Sequence, residues 1–190
     1  MIVWINGAFG AGKTTLAGEL RGRLPDALSF DPEHVGFLLR VTAPPPGTGD
    51  FQDLRLWRKL TAEMAIGLHH DYGRHVITPM TLVEPAYREE IFTLLAAADV
   101  PLLHVFLDVP ADELRRRIDA QVLDPHDAEA DARARAFRLR NVDRCVAARD
   151  DLPAGTLVLR GDRHDPAQLA DRVLAALRRA EEAAAVRTGA

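Results

Sequence analysis

Two glycines framing four residues, followed at once by a lysine and a threonine, occupy residues 7–14 as GAFGAGKT. The spacing fits the pattern G-x-x-x-x-G-K-[ST], whose chemistry is the cradling of a nucleotide's phosphates. Lacking a Cβ, Gly7, Gly10 and Gly12 let the backbone N–H groups of this stretch, including those of Ala8, Phe9 and Ala11, turn inward around a β-phosphate. A helix opening at Lys13 adds its positive dipole end, with Thr14 and Thr15 in its first turn. Lys13 then reaches the β/γ oxygens, and the Thr14 hydroxyl is a ligand for Mg²⁺. Among 24 basic residues only Lys13 and Lys59 are lysine, so the lysine kept in this loop answers a need that arginine does not meet. A glycine turn matching by accident would need a strand before it and a helix after it by coincidence.

Phosphoryl transfer asks mainly for positioning and for neutralised charge. Asp31 follows the apolar run ALSF (27–30), where the carboxyl end of a parallel sheet gathers its ligands. It is suited to orient an acceptor hydroxyl or take its proton. It is also the nearest substitute for the acid that usually supports Mg²⁺, because VITPMT (76–81) carries none. Asp31-Pro32-Glu33 equally describes a helix start, with Asp31 as cap, and the two roles are compatible. Arg117, Arg140 and Arg144 are candidates to meet the transferring phosphate, since arginine binds phosphate bidentately and keeps its charge. Each of them alone reads as well as part of a solvated face. Trp57, at helical spacing, reads first as core and only second as a ligand platform. The guanine-reading N-K-x-D and the switch D-x-x-G of regulatory GTPases are absent, and so are the length and second acidic motif of an AAA-type motor.

The elements that must position these residues follow from apolar periodicity. IVWI, ALSF, HVITPM (75–80), PLLHVFLDV (101–109) and TLVLR (156–160) read as short buried strands. Helical patterns separate them, at Lys13 to about Leu24, after Asp31, over 51–73 with Leu54, Trp57, Leu60 and Met64 on one face, at AYREEIFTLLAAA, at PADELRRRIDAQ, and from Asp165 onward. This alternation predicts an α/β fold with a doubly wound parallel sheet. TAPPPGTGD (42–50) is a loop. Residues 123–144 are charged almost throughout and read as a helical lid over something negative. The 190 residues suffice for one domain, and a net charge of −4 argues against a general nucleic-acid binder. No apolar run approaches the roughly 20 residues that span a bilayer. The start carries no charged n-region, and the single cysteine, Cys145, fits a reducing cytoplasm. Together these predict a cytoplasmic protein with no transmembrane segment and no nucleic-acid partner.

IVWINGAFGAGKT (2–14), FDPEHVGFLLR (30–40), DFQ and LWR (50–52, 56–58), TPMT (78–81) and DRC (143–145) occur in an order that resembles the tunicamycin-resistance protein family of P-loop proteins. That family is related to nucleoside monophosphate kinases and to chloramphenicol phosphotransferase. The resemblance covers about three quarters of the chain. It implies a P-loop NTPase fold with five parallel strands in the order 2-3-1-4-5, flanked by helices, over residues 1–190, with an arginine-bearing lid at about 121–144. It implies ATP and Mg²⁺ as cofactors, held by Gly7–Thr15 with Arg140, the metal by Thr14 and Asp31. Lys13, Asp31, Arg117 and Arg144 are the implied catalytic residues. Asp31, Phe37, Arg40, Phe51, Trp57, Arg58, Thr78, Met80 and Thr81 are the implied substrate contacts. The function implied is ATP-dependent phosphorylation of a hydroxyl on a small molecule, a nucleoside antibiotic of the tunicamycin or muraymycin kind, to give resistance. Sequestration of the drug without modification, and a housekeeping nucleotide or sugar-nucleotide kinase, are the alternatives. A homodimer is compatible with the sequence.

Overall fold

The computed structural model describes residues 1–188. Strands β1 (Ile2–Gly7), β2 (Leu28–Ser29), β3 (Val76–Pro79), β4 (Leu102–Asp108) and β5 (Leu157–Arg160) form one parallel sheet in the order β2-β3-β1-β4-β5, as expected. Helices α1 (Lys13–Arg23), α2 (Glu33–Thr42), α3 (Arg55–Tyr72), α4 (Pro85–Ala97), α5 (Ala111–Ala120), α6 (Ala128–Arg140), α7 (Val142–Ala147) and α8 (Pro166–Thr188) join and cover the strands. No helix among the described residues is long and apolar enough to cross a membrane.

Every residue of β1 is buried, because this strand pairs on both edges, with Ile2 opposite Val76 on one side and Leu102 on the other. Its alternation feeds two cores. Val3 and Ile5 pack with Leu16, Leu20, Leu107 and Leu114 on one face, while Ile2 and Trp4 join Trp57, Leu82, Ile91 and Leu95 on the other. A strand covered on both faces is apolar at successive positions, and each fully buried Ile, Val or Leu contributes about 1.5–3 kcal/mol.

Two local expectations change. ALSF is expected to be a four-residue strand, yet β2 holds only Leu28 and Ser29, with Phe30 adding one further bond from its N–H to the Ile77 carbonyl at 3.0 Å. On α3, Trp57, Thr61, Ala62 and Ala65 are buried and Met64 is half-exposed. The small residues turn inward because they let α3 lie close to the sheet and to α4.

Gly7 ends β1 at φ +141°, and a Cβ there would stand 2.9 Å from the backbone oxygen of Leu107. Since neither strand can yield, Gly7→Ala is expected to cost about 1–3 kcal/mol or more. A fall in the urea unfolding midpoint checks it.

Candidate active site at the Gly7–Thr14 loop

The loop between β1 and α1 lies at the carboxyl edge of the sheet, where parallel α/β folds place ligands. Gly10 and Gly12 adopt φ +77° and +97°, left-handed conformations that curl the chain back toward α1. Within the curl the Ala11 N–H donates to the Ala8 carbonyl at 3.2 Å. Lys13 Nζ donates to the same Ala8 carbonyl at 2.8 Å, folded across the mouth of the loop. Desolvation is the main force on this ammonium and pushes it down to about 8. A desolvated, partly buried cation held by one neutral carbonyl and the face of Phe9 is under-compensated, which is the electrostatic signature of a site built to receive negative charge.

A cavity of about 190 Å³ opens over this loop. Gly10, Gly12, Lys13, Thr14 and Thr15 form its floor. Asp31 and Glu33 stand on one side, and Met80 and Thr81 on another. Asp31 does both things its position allows. Its Oδ1 accepts the Glu33 N–H at 2.9 Å, capping the start of α2, while its side chain lines the cavity. The Thr14 hydroxyl with the two carboxylates is a set of hard oxygen donors, and the cavity walls are polar. That donor chemistry fits Mg²⁺, which takes one or two protein oxygens and completes its shell with phosphates and water. The inward-turned loop and the α1 terminus fit a nucleotide phosphate.

The fourth side of the cavity comes from residues the sequence reading missed. Arg138 on α6 reaches it and donates to Gln121 Oε1 at 3.1 Å. Its guanidinium carbon stands 5.6 Å from the centre of the Phe9 ring, as does Lys13 Nζ. The edge of Phe137 meets the same ring, with centroids 5.7 Å apart. Phe9 thus carries two cations and seats α6 against the loop. The arginines of α6 fall by helical periodicity into the pairs 133/140 and 135/138, and only the contacts to Gln121 and Phe9 reveal which pair faces inward. Arg135 donates to the Asp119 and Gln121 carbonyls and so ties α6 to the end of α5.

Behind the loop runs a buried polar chain. Asn6 Oδ1 accepts the N–H groups of Gly7 and Leu82, and Asn6 Nδ2 donates to the Leu82 carbonyl at 2.7 Å. Thr81 donates its hydroxyl to the Gly7 carbonyl at 3.0 Å, and Gln52 Nε2 donates to the Thr81 carbonyl at 2.9 Å. The Gln52 carbonyl in turn accepts from Arg58. The turn at 51–53 is therefore fixed to the first residue of the loop through two side chains. His104 closes the network beside Asn6 and Thr156, and burial pushes its imidazole down to about 3, so it is neutral there.

Several expected contacts lie elsewhere. Trp57 is fully buried, donates its indole N–H to the Pro32 carbonyl at 3.0 Å and packs on Phe51, so it supports Asp31 from beneath and faces no cavity. Arg58 is buried and committed to Glu90 at 2.6 Å and to the Gln52 carbonyl, with Tyr87 under its guanidinium. Thr78 is buried inside β3, away from the cavity, while its neighbours Met80 and Thr81 reach it. Arg117 does not face the loop's open side. It donates to the carbonyls of Gly10 and Gly161 and to Glu113, bracing the loop against the chain that follows β5. Its carboxylate partner, held by Arg116 and Arg117, falls to about 2. Arg140 and Arg144 line a neighbouring cleft instead of the loop cavity. Phe37 is half-exposed on α2 under the Arg40 guanidinium, which also covers Phe51. Phe51 and Arg40 border a small apolar recess under Pro44–Pro46. Cys145 is buried in α7 below the loop, where its sulfur accepts the Phe9 N–H.

The same architecture recurs in solved structures of low identity. The tunicamycin resistance protein of Deinococcus radiodurans superposes with a TM-score of 0.67 at 24% identity, over 93% of this chain and 94% of that one. The APS kinase of Mycobacterium tuberculosis, solved with AMPPNP and APS, gives 0.62 at 18% identity over 93% and 96%. A gluconokinase of Sinorhizobium meliloti gives 0.61 at 14% over 98% and 95%. No curated protein sequence matches. At these identities the likeness concerns the fold, which is that of P-loop kinases. A family profile described as an AAA domain matches residues 2–144, from the first strand through the glycine loop to α7. The chain therefore belongs to that AAA domain family.

Proposed function

We propose that the protein transfers the γ-phosphoryl group of ATP to a hydroxyl of a small molecule. The observation that carries this reading is the meeting of Lys13, Thr14 and Asp31 around one polar cavity at the carboxyl edge of the sheet. The loop amides and Lys13 bind the β- and γ-phosphates, and Arg138 approaches from α6 to share the developing charge. Asp31 receives the proton of the acceptor hydroxyl. The acceptor oxygen bonds to the γ-phosphorus as the bond from that phosphorus to the β,γ-bridging oxygen breaks, and ADP leaves. Thr14 and Asp31 would hold Mg²⁺, which supplies charge neutralisation on the phosphates. Because the donor is ATP, the reaction belongs in the cytoplasm.

For the acceptor we propose a nucleoside antibiotic of the tunicamycin class. The motifs shared with that resistance family and the fold likeness to the Deinococcus protein support this choice. One observation favours drug binding without modification as the second reading: β3 ends in Pro79-Met80-Thr81, with no acid at the position that usually supports the metal.

Intact-mass analysis of a panel of nucleoside antibiotics incubated with protein, ATP and Mg²⁺ separates the two. A gain of one phosphoryl group, about 80 Da, that disappears with Lys13→Ala is the expected result. Drug and ATP bound together with no change of mass would overturn transfer in favour of sequestration.

A further inference from the structure

Across the Phe9–Phe137 ring contact from the loop cavity lies a second cleft, of about 300 Å³. Its walls carry opposite charge. One wall is a single helical face, with Phe137, Arg140, Asn141 and Arg144 following one another at three- and four-residue spacing from α6 into α7. The other is the turn after the proline-rich loop, which presents Thr48, Asp50 and Asp53. Among the described residues no ion pair joins the two walls.

Each group shows where its bonding capacity goes. Arg140 is exposed and has no hydrogen bond or ion pair among the described residues. Arg144 turns aside to Glu84 at 3.2 Å, an exposed pair of small worth. Asp53 is occupied on both oxygens by the hydroxyls of Thr48 and Tyr87. The Asp50 carboxylate accepts only the Gln52 N–H, at 3.0 Å, and burial raises it above the ordinary range. Arginine and carboxylate lining one cleft would form a charge-assisted pair if they could touch. Asp50 feels the charges of Arg144 and Arg40 without bonding to either, which leaves the cleft between the walls open to a molecule. The acidic wall is also the one held to the loop through Gln52 and Thr81, so an occupant here is in register with the phosphates.

We infer that this cleft holds the phosphoryl acceptor, and that the acceptor is a hydroxylated compound bearing an anionic group, a carboxylate or a phosphate. The anionic group meets Arg140 and draws Arg144 from Glu84, while hydroxyls donate to Asp50. The inference rests on the phosphotransfer reading of the adjoining cavity and narrows it, because a neutral acceptor would leave the arginine wall unanswered. Within a panel of nucleoside antibiotics it selects those that carry an acid and so sets aside tunicamycin itself, which carries none.

Calorimetric titration of the ADP-filled protein with glycerol 3-phosphate, glycerate and glycerol tests it. The two acidic probes are expected to bind and glycerol is not, and the stronger of the two tells phosphate from carboxylate. Arg140→Ala should weaken the acidic probes by about tenfold or more and leave ADP affinity within about twofold, because Arg140 lies outside the loop cavity. Asp50→Asn should weaken the two probes yet leave inorganic phosphate, which offers no diol, unchanged or stronger. Equal binding of all three probes, or acidic probes held as well by Arg140→Ala and Arg144→Ala as by the wild type, would overturn the inference. The Lys13→Met protein, titrated without nucleotide, judges the cleft separately. If wild-type protein fails to bind ADP, the phosphotransfer reading falls while these titrations still decide what the cleft takes.

Discussion

Lys13→Met is expected to abolish phosphoryl transfer and, at the same time, to stabilise the nucleotide-free protein. Loss of the cation facing the β- and γ-phosphates should lower turnover by on the order of 10²–10³ or more. The stability effect has the opposite sign because burial holds the Lys13 ammonium at about 8, below the ordinary 10.5. Between those two values the unfolded chain carries a proton that the folded chain has released, so stability of the wild type rises with pH through that window. Below pH 8 the whole penalty is present, and Met, of similar length and uncharged, removes it. Urea midpoints of wild type and Lys13→Met at pH 7.5 and 9.5 should therefore converge at the higher pH. Saturating ADP should flatten the wild-type dependence, since phosphates return the missing counter-charge. Parallel pH profiles for the two proteins would show that the ammonium is already well compensated without a ligand.

Asp31→Asn should lower transfer by on the order of 10²–10⁴, the usual contribution of a positioned proton acceptor, while any accompanying loss of Mg²⁺-dependent ATP affinity measures its share in holding the metal. The substitution spares the fold because asparagine caps a helix as well as aspartate does. The bond from the Glu33 N–H and the start of α2 therefore survive. Single-turnover transfer with the acceptor found by mass analysis, beside equilibrium ATP binding, separates the two roles. Transfer retained to within about tenfold would remove Asp31 as the proton acceptor.

The strands and the glycine loop were legible in the sequence because both are written locally, whereas the strand order came from the family resemblance. Apolar runs bounded by turns place the strands, and GAFGAGKT needs only its own φ angles and the start of α1. Asp31 was legible for the same reason, standing directly after a strand. What sequence left hidden depends on which side of a helix meets what. Trp57 and Arg58 sit in a motif beside the site, yet α3 turns both inward, one to hold the Pro32 carbonyl and the other the Gln52 carbonyl. Arg138 and Arg140 are two residues apart on one helix and serve different cavities. Gln52 stands in the DFQ motif, yet its role was hidden, because that role is a bond to a carbonyl 29 residues away.

The anchoring of the 51–53 turn by Gln52 has a mechanical consequence. That turn shares its footing with Gly7 through Thr81, so it belongs to the sheet as an anvil belongs to its bench. The opposite wall, α6, buries none of its residues and is held by the Phe9–Phe137 contact and by hydrogen bonds from Arg135, midway along it, to the end of α5. The weaker hold therefore lies on the α6 side, where the Phe9–Phe137 contact, Arg138 on Phe9 and the bonds of Arg135 and Arg138 to the end of α5 carry it.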